Sequence, residues 1–422
     1  MDWNRKLKQL MGDATHLVRT GQLAQATQAI QQALRQPANA GLTPSAAPRA
    51  EADVAEPAVA PAATRFTFTP GARWPGAETA QVEDAVIVER PAVEPLEPDT
   101  PATPQAPAGA AAPTQAAGTF NRVAFRPDGG TRHPHHYHLF VPPGATEGTA
   151  MPLVLMLHGC TQNPEDFATG TAMNGAAAHA NALVLYPEQP HSANAHGCWN
   201  WFRPEDQHRG RGEPGLLMAM VQDVMARYPV DATRVYVAGL SAGGAMAALL
   251  AREYPDVFAA AGVHSGLCAG AAHNMMAALS AMKNGAKPHG RTTPVAAPVQ
   301  PAVPVIVFHG DADATVHARN GDQVVDAALG AIPGGAGAVD QTVERGASPA
   351  GQAYTRTVYR RAAEGPAAAG PGAVVVEHWL LHGAGHAWAG GCAQGSHTDP
   401  RGVDATREML RFFLQHRRRP QV

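Results

Sequence analysis

The stretch Val235–Pro255, VYVAGLSAGGAMAALLAREYP, decides the fold. It opens on a β-branched, apolar run and closes on an alanine-rich one. Between them one serine, Ser241, stands among glycines. Gly239-Leu240-Ser241-Ala242-Gly243 fits G-x-S-x-G in a strand, tight turn, helix context, the arrangement of a nucleophile elbow. Small residues there let the backbone turn sharply and hold the hydroxyl out of the sheet. With seven serines and 43 glycines in 422 residues, chance supplies about 0.07 such matches at this composition. The strand and helix flanks lower that further.

A serine hydroxyl is a weak nucleophile at neutral pH, so it needs a base, and the base needs an orienting carboxylate. Both are expected later in the chain, in the order Ser, Asp, His. VPVIVFHGDADATVH (Val303–His317) ends a strand with Asp311 and Asp313. The H-G-x-x-D spacing from His309-Gly310 selects Asp313 and leaves Asp311 as a turn former that bonds nearby amides. VVVEHWLLHGAGHAWAGG (Val374–Gly391) ends the next strand with a glycine-rich loop carrying His386. The chain has 20 histidines; loop position and small neighbours favour His386 over its main rival, His382. Acyl transfer also needs donors for a developing oxyanion. The backbone amide of Ala242 is one. The amide of Cys160, in PLVLMLHGCTQNPEDF (Pro152–Phe167), is the other, with His158 and Gly159 turning the backbone in.

The surrounding pattern is α/β. MPLVLMLHG, NALVLYPE, RVYVAGL, VPVIVFHG and AVVVEHWLL are short, continuous apolar runs, typical of strands buried on both faces. FNRVAFRP and HHYHLFVPP read as a hairpin before them. Helical stretches are expected at Gly212–Arg227, Gly243–Tyr254 and Val403–His416. Such alternation implies a mostly parallel sheet with helices on both faces and functional groups at the carboxyl ends of the strands. This catalytic domain is expected over 119–418. Residues 37–118 are Ala/Pro-rich, with too few large apolar side chains to offset their ordering entropy, and read as a disordered linker. In residues 1–36, Leu7, Leu10 and Met11, then Leu23, Ala26, Ile30 and Leu34, recur at helical spacing on either side of Gly21, which predicts a helical hairpin.

The formal charge is −3 with no basic stripe, which excludes a nucleic-acid partner. No run approaches the roughly 18 apolar residues of a membrane span. The N-terminus lacks the continuous apolar core of a signal peptide, so a cytoplasmic location is expected, with export as the alternative.

LHGCTQNPEDF, YPEQ, CWNWF, GLSAGGAMAALLAREYPDVFAAAGVHSG, HGDADATV, GAGHAWAGG and TDPRGVDATREMLRFF follow one another between about Asn121 and His416. Together they resemble the poly(3-hydroxybutyrate) depolymerase-type esterases, α/β-hydrolases related to feruloyl and acetyl-xylan esterases. The resemblance implies an α/β-hydrolase fold and a Ser241, Asp313, His386 triad. It implies hydrolysis of short hydroxyalkanoate esters, their oligomers or related carboxylic esters, with no metal or organic cofactor. Two alternatives stand: a feruloyl, acetyl-xylan or other small-ester hydrolase, and a catalytically silent granule- or partner-binding protein. Association with polyester granules through the N-terminal hairpin is compatible with catalysis.

Trp199 and Trp201 of CWNWF, and Trp388 two residues past His386, are expected to line an apolar ester pocket, with core packing as the alternative. The four cysteines fit no zinc spacing. They permit two disulfides in three pairings, or four buried thiols; the expected pairing is Cys160–Cys198 with Cys268–Cys392, the first of which would tie the oxyanion loop to the tryptophan loop.

Overall fold

The computed structural model describes residues 118–127, 134–145, 148–287, 302–332, 335–361 and 372–418. The expected hairpin at 1–36 and all but the last residue of the expected linker lie outside them.

Among the described residues ten strands form one sheet. They are β1 (Thr119–Phe125), β2 (His135–Val141), β3 (Met151–Leu157), β4 (Leu183–Pro187), β5 (Val230–Leu240), β6 (Ala260–His264), β7 (Val305–Gly310), β8 (Val339–Ala347), β9 (Ala353–Arg361) and β10 (Val374–Leu381). Their spatial order is β1-β2-β4-β3-β5-β6-β7-β10-β9-β8. The six central strands, β4 to β10 in that order, run parallel. The pairs at the two margins are antiparallel.

Strands β3, β4, β6 and β7 are buried along their whole length, because helices cover both faces of a parallel sheet. Side chains alternate between those faces. Met151, Leu153, Leu155 and Leu157 of β3 enter one core with α3 (Gly212–Arg227), α4 (Ala242–Glu253), α5 (Met275–Asn284) and α6 (Arg319–Gly330). Val154 and Met156 enter the other with α1 (Pro164–Thr171), α2 (Met173–Ala180) and α7 (Ala405–Leu414). Tyr236 of β5 stacks on Phe413 of α7, 5.1 Å between centroids. Helix α1 starts where its sequence dictates: Pro164 occupies the first turn and Asn163 accepts the Asp166 amide at 2.8 Å. Helix α3 has the bounds expected from sequence, α4 lies one residue earlier, and α7 falls within Val403–His416.

The sheet's far margin is different in character. Strand β8 is exposed along most of its length and carries Asp340, Glu344 and Arg345, the charged surface by which an edge strand discourages pairing with another chain. No helix among the described residues is long and apolar enough to cross a membrane.

Candidate active site

Ser241 sits between β5 and α4 with φ 57° and ψ −118°. A non-glycine residue in that region is strained, and it persists only where its surroundings hold it. Here the Ser241 amide donates to the His264 carbonyl (2.9 Å), and the Ser241 carbonyl accepts the Ala245 amide (2.9 Å). The flanking glycines are demanded by close approach. A Cβ on Gly243 would fall on the carbonyl oxygens of Leu157 and His158, and one on Gly239 would fall on the backbone of Gly243. The motif thus lets α4 start against the end of β3.

The other two residues reach the same end of the sheet from β7 and β10. His386 Nδ1 donates to Asp313 Oδ2 at 2.7 Å. Asp313 Oδ1 accepts the amides of Thr315 (2.9 Å) and Val316 (2.8 Å). Burial works to raise the Asp313 carboxyl, but the His386 hydrogen bond and charge, with the Val316 amide, hold it below the usual carboxylate range. Ser241 Oγ has no hydrogen-bond partner among the described residues; a hydroxyl–imidazole bond of this kind is often long until substrate is bound.

His264 links the elbow to the histidine loop. Its carbonyl holds the Ser241 amide, and its Nε2 accepts the Ala389 amide at 3.0 Å. Burial, then the nearby His309 and His386, push its imidazole down to about 3, so it stays neutral. The sequence motif ending in GVHSG contains it, but sequence alone assigned it no role; the structural signal is its place at the end of the strand next to β5.

The two expected oxyanion donors are free. Among the described residues neither the Cys160 nor the Ala242 amide makes a hydrogen bond, whereas the neighbouring Gly159 amide binds Gln162 Oε1 and the Thr161 amide binds the His196 carbonyl. Ala242 opens α4, where unpaired amides and the helix dipole favour negative charge. A buried network supports the Cys160 loop from below. His158 Nδ1 donates to the Gly159 carbonyl, its Nε2 accepts the Gln189 amide, and its own carbonyl accepts Trp199 Nε1. Gln189 and Asn200 then converge on Glu213, at the start of α3. YPEQ contains Gln189, and the helix start contains Glu213; sequence alone assigned neither a role. Among the described residues no group of three or more His, Cys, Asp and Glu side chains is placed to hold a metal ion.

Two expectations are corrected. Trp199 and Trp388 are 1% exposed and Trp201 5%, and their surfaces are taken up by protein. Trp388 stacks on His264 (5.1 Å), meets Phe167 edge-on and donates to Thr406. Trp201 packs edge-on against Phe202. The three rings are therefore supports behind the site rather than walls of an ester pocket. Cys160 and Cys198 are bridged, whereas Cys268 and Cys392 are free. Cys268 packs at the rim of the core beneath α3–α6. Cys392 lies beside α1, with its amide on the Gly170 carbonyl. The expected second bridge is therefore not formed: one thiol packs against the α3–α6 core and the other is held beside α1.

The sheet order, the serine elbow and the carboxyl-end loops define an α/β-hydrolase fold. Residues 135–353, more than half of the chain, match the family model described as Esterase PHB depolymerase, and the chain belongs to that family. It is 36% identical over 188 residues to poly(3-hydroxyalkanoate) depolymerase C of Paucimonas lemoignei, covering 42% of this chain and 44% of that one. It is 34% identical over 125 residues to feruloyl esterase B of Thermothelomyces thermophilus, covering 29% and 42%. The chain thus spans less than half the length of these curated relatives. An acetyl xylan esterase from Aspergillus awamori superposes with a TM-score of 0.51 at 20% identity, over 71% of this chain and 100% of that one, a likeness of fold.

Proposed function

We propose that this protein hydrolyses carboxylic esters through an acyl-enzyme on Ser241, with short hydroxyalkanoate esters and their oligomers as substrates. His386 takes the Ser241 proton as the hydroxyl attacks the ester carbonyl. Asp313 holds the Nδ1–H tautomer and stabilises the imidazolium. The Ala242 and Cys160 amides receive the oxyanion. The alcohol leaves with the proton from His386. Water, activated by the same imidazole, then releases the acid.

The observation that carries this reading is the 2.7 Å His386–Asp313 bond at the same end of the sheet as a serine held at φ 57°. Membership of the esterase family supports the reaction class, and the likeness to a poly(3-hydroxyalkanoate) depolymerase supports the substrate. The likeness to feruloyl esterases supports aromatic or other small esters as the second reading.

The test is a panel of p-nitrophenyl esters of increasing acyl length, 3-hydroxybutyrate oligomers and methyl ferulate, with Ser241→Ala as control. Turnover of short esters and oligomers, lost by about 10⁴-fold or more in the variant, is the expected result. Activity on small esters without oligomers would move the substrate to the second reading. Full activity in Ser241→Ala would refute the mechanism.

A further inference from the structure

Asp311, His382 and Thr355 have no part in the proposed chemistry, yet they form a hydrogen-bonded chain beside it. His382 Nδ1 donates to Asp311 Oδ2 at 2.8 Å, and Thr355 Oγ1 lies 2.9 Å from His382 Nε2. The second oxygen of Asp311 accepts the Gly383 amide at 2.7 Å. A carboxylate oxygen only accepts, so Nδ1 carries a proton, and in the neutral ring Nε2 accepts the threonine hydroxyl. Both ring nitrogens and both carboxylate oxygens are engaged. Burial works to raise the Asp311 carboxyl, but the His382 bond and the Gly383 amide hold it below its ordinary value.

Placement gives this chain its meaning. Asp311 precedes Asp313 by two residues on the loop leaving β7. His382 precedes His386 by four on the loop leaving β10. These strands are parallel neighbours, paired up to Leu381 and Gly310. Beyond that point the loops stay joined by Asp311 N to Leu381 O and Ala312 N to Ala384 O, both 3.1 Å. Two Asp–His rungs therefore bridge the same pair of loops. The inner rung is Asp313–His386, whose side chains are 0% and 14% exposed. The outer rung is Asp311–His382, both 38% exposed. Thr355 ties the outer rung to β9, in the antiparallel hairpin at the sheet margin. A pair this exposed adds little to global stability. Its consequence is local, because a small displacement of a catalytic base is costly to rate.

We propose that Thr355, His382 and Asp311 are positioning residues that brace the His386 loop against the Asp313 loop and against β9, and so keep His386 aligned with Ser241. The proposal rests on the triad reading above. Its predicted signature is a loss in turnover rather than in substrate binding.

The test uses the full chain and the variants Thr355→Val, Thr355→Ser, His382→Ala and the Thr355→Val/His382→Ala double. With p-nitrophenyl butyrate, Thr355→Val and His382→Ala lower kcat by about tenfold while KM stays within about twofold. Thr355→Ser returns to near the wild-type rate. The double variant is no slower than His382→Ala alone, because both substitutions break one chain. In ¹⁵N-histidine-labelled protein, the His386 Nδ1–H resonance, identified by its loss in His386→Ala, exchanges faster in His382→Ala. Wild-type kcat in both single variants together with unchanged exchange would overturn the proposal and leave the esterase reading standing. So would a rise in KM at unchanged kcat, or a Thr355→Ser variant no better than Thr355→Val. Should the wild type hydrolyse no ester, the functional reading falls, and the exchange measurement alone decides the brace.

Discussion

Glu213 illustrates how single residues carry the site without touching it. Its carboxylate accepts Gln189 Nε2 (2.5 Å), Asn200 Nδ2 (2.5 Å) and the Asn200 amide (2.7 Å). Burial still outweighs these bonds and pushes the carboxyl up to about 7, from 4.5. Between those values the folded chain keeps a proton that the unfolded chain has released. The stability this group contributes is therefore present in full below the lower value and falls as pH rises toward the upper one, by about 3 kcal/mol in total. The unfolding free energy of Glu213→Gln relative to wild type should accordingly improve across that window. A pH-independent difference would contradict the linkage. At this scale the sequence was legible where spacing carries chemistry. G-x-S-x-G and H-G-x-x-D separated Ser241 and Asp313 from their neighbours, and loop position among small residues separated His386 from His382. It was not legible where only burial decides. A tryptophan in a loop has no periodicity to say whether it faces a ligand or the core, and Trp199, Trp201 and Trp388 all face the core.

The Cys160–Cys198 bridge joins two loops, so its consequences belong to elements. It closes a separation of 38 residues, for which the chain-entropy model gives about 4 kcal/mol of stabilisation. It also ties down the segment that carries Cys160, whose amide is the proposed second oxyanion donor. Reduction, or the Cys160→Ser/Cys198→Ser variant, should lower both the unfolding midpoint and kcat. An unchanged kcat in a reduced, still folded protein would separate the bridge from the oxyanion loop. Element legibility followed composition. The continuous apolar runs of β3, β4, β5, β7 and β10 announced buried strands. Strand β6 is Ala-Ala-Gly-Val-His, too small and weakly patterned to stand out, although it is wholly buried between β5 and β7. The β8–β9 hairpin was silent for the opposite reason. Strand β8 is charged and largely solvent-facing, and β9 is half-buried with charged residues among its apolar ones, so both lack the continuous apolar run that marks the central sheet.

On the scale of the whole molecule, one fact organises the rest: six parallel strands end on the same side, and the chain spends its unusual geometry there. The strained serine, the His–Asp pair, the two unpaired amides and the disulfide all belong to loops leaving β3, β4, β5, β7 and β10. The alternation of side chains on those strands feeds two cores, one against each face of the sheet. The parallel arrangement was readable from the sequence because continuous apolar runs separated by helices have few other solutions. The buried polar scaffold beneath the loops was not, since it assembles from residues far apart in the chain.

The central claim is that Ser241 is a nucleophile activated by this arrangement. Labelling the native protein with a fluorophosphonate ester, followed by intact-mass analysis and peptide mapping, tests it most directly. The account predicts a single adduct on the peptide containing Ser241, slowed by a competing short-chain ester and absent from Ser241→Ala. No adduct, or an adduct that persists in Ser241→Ala, would contradict it.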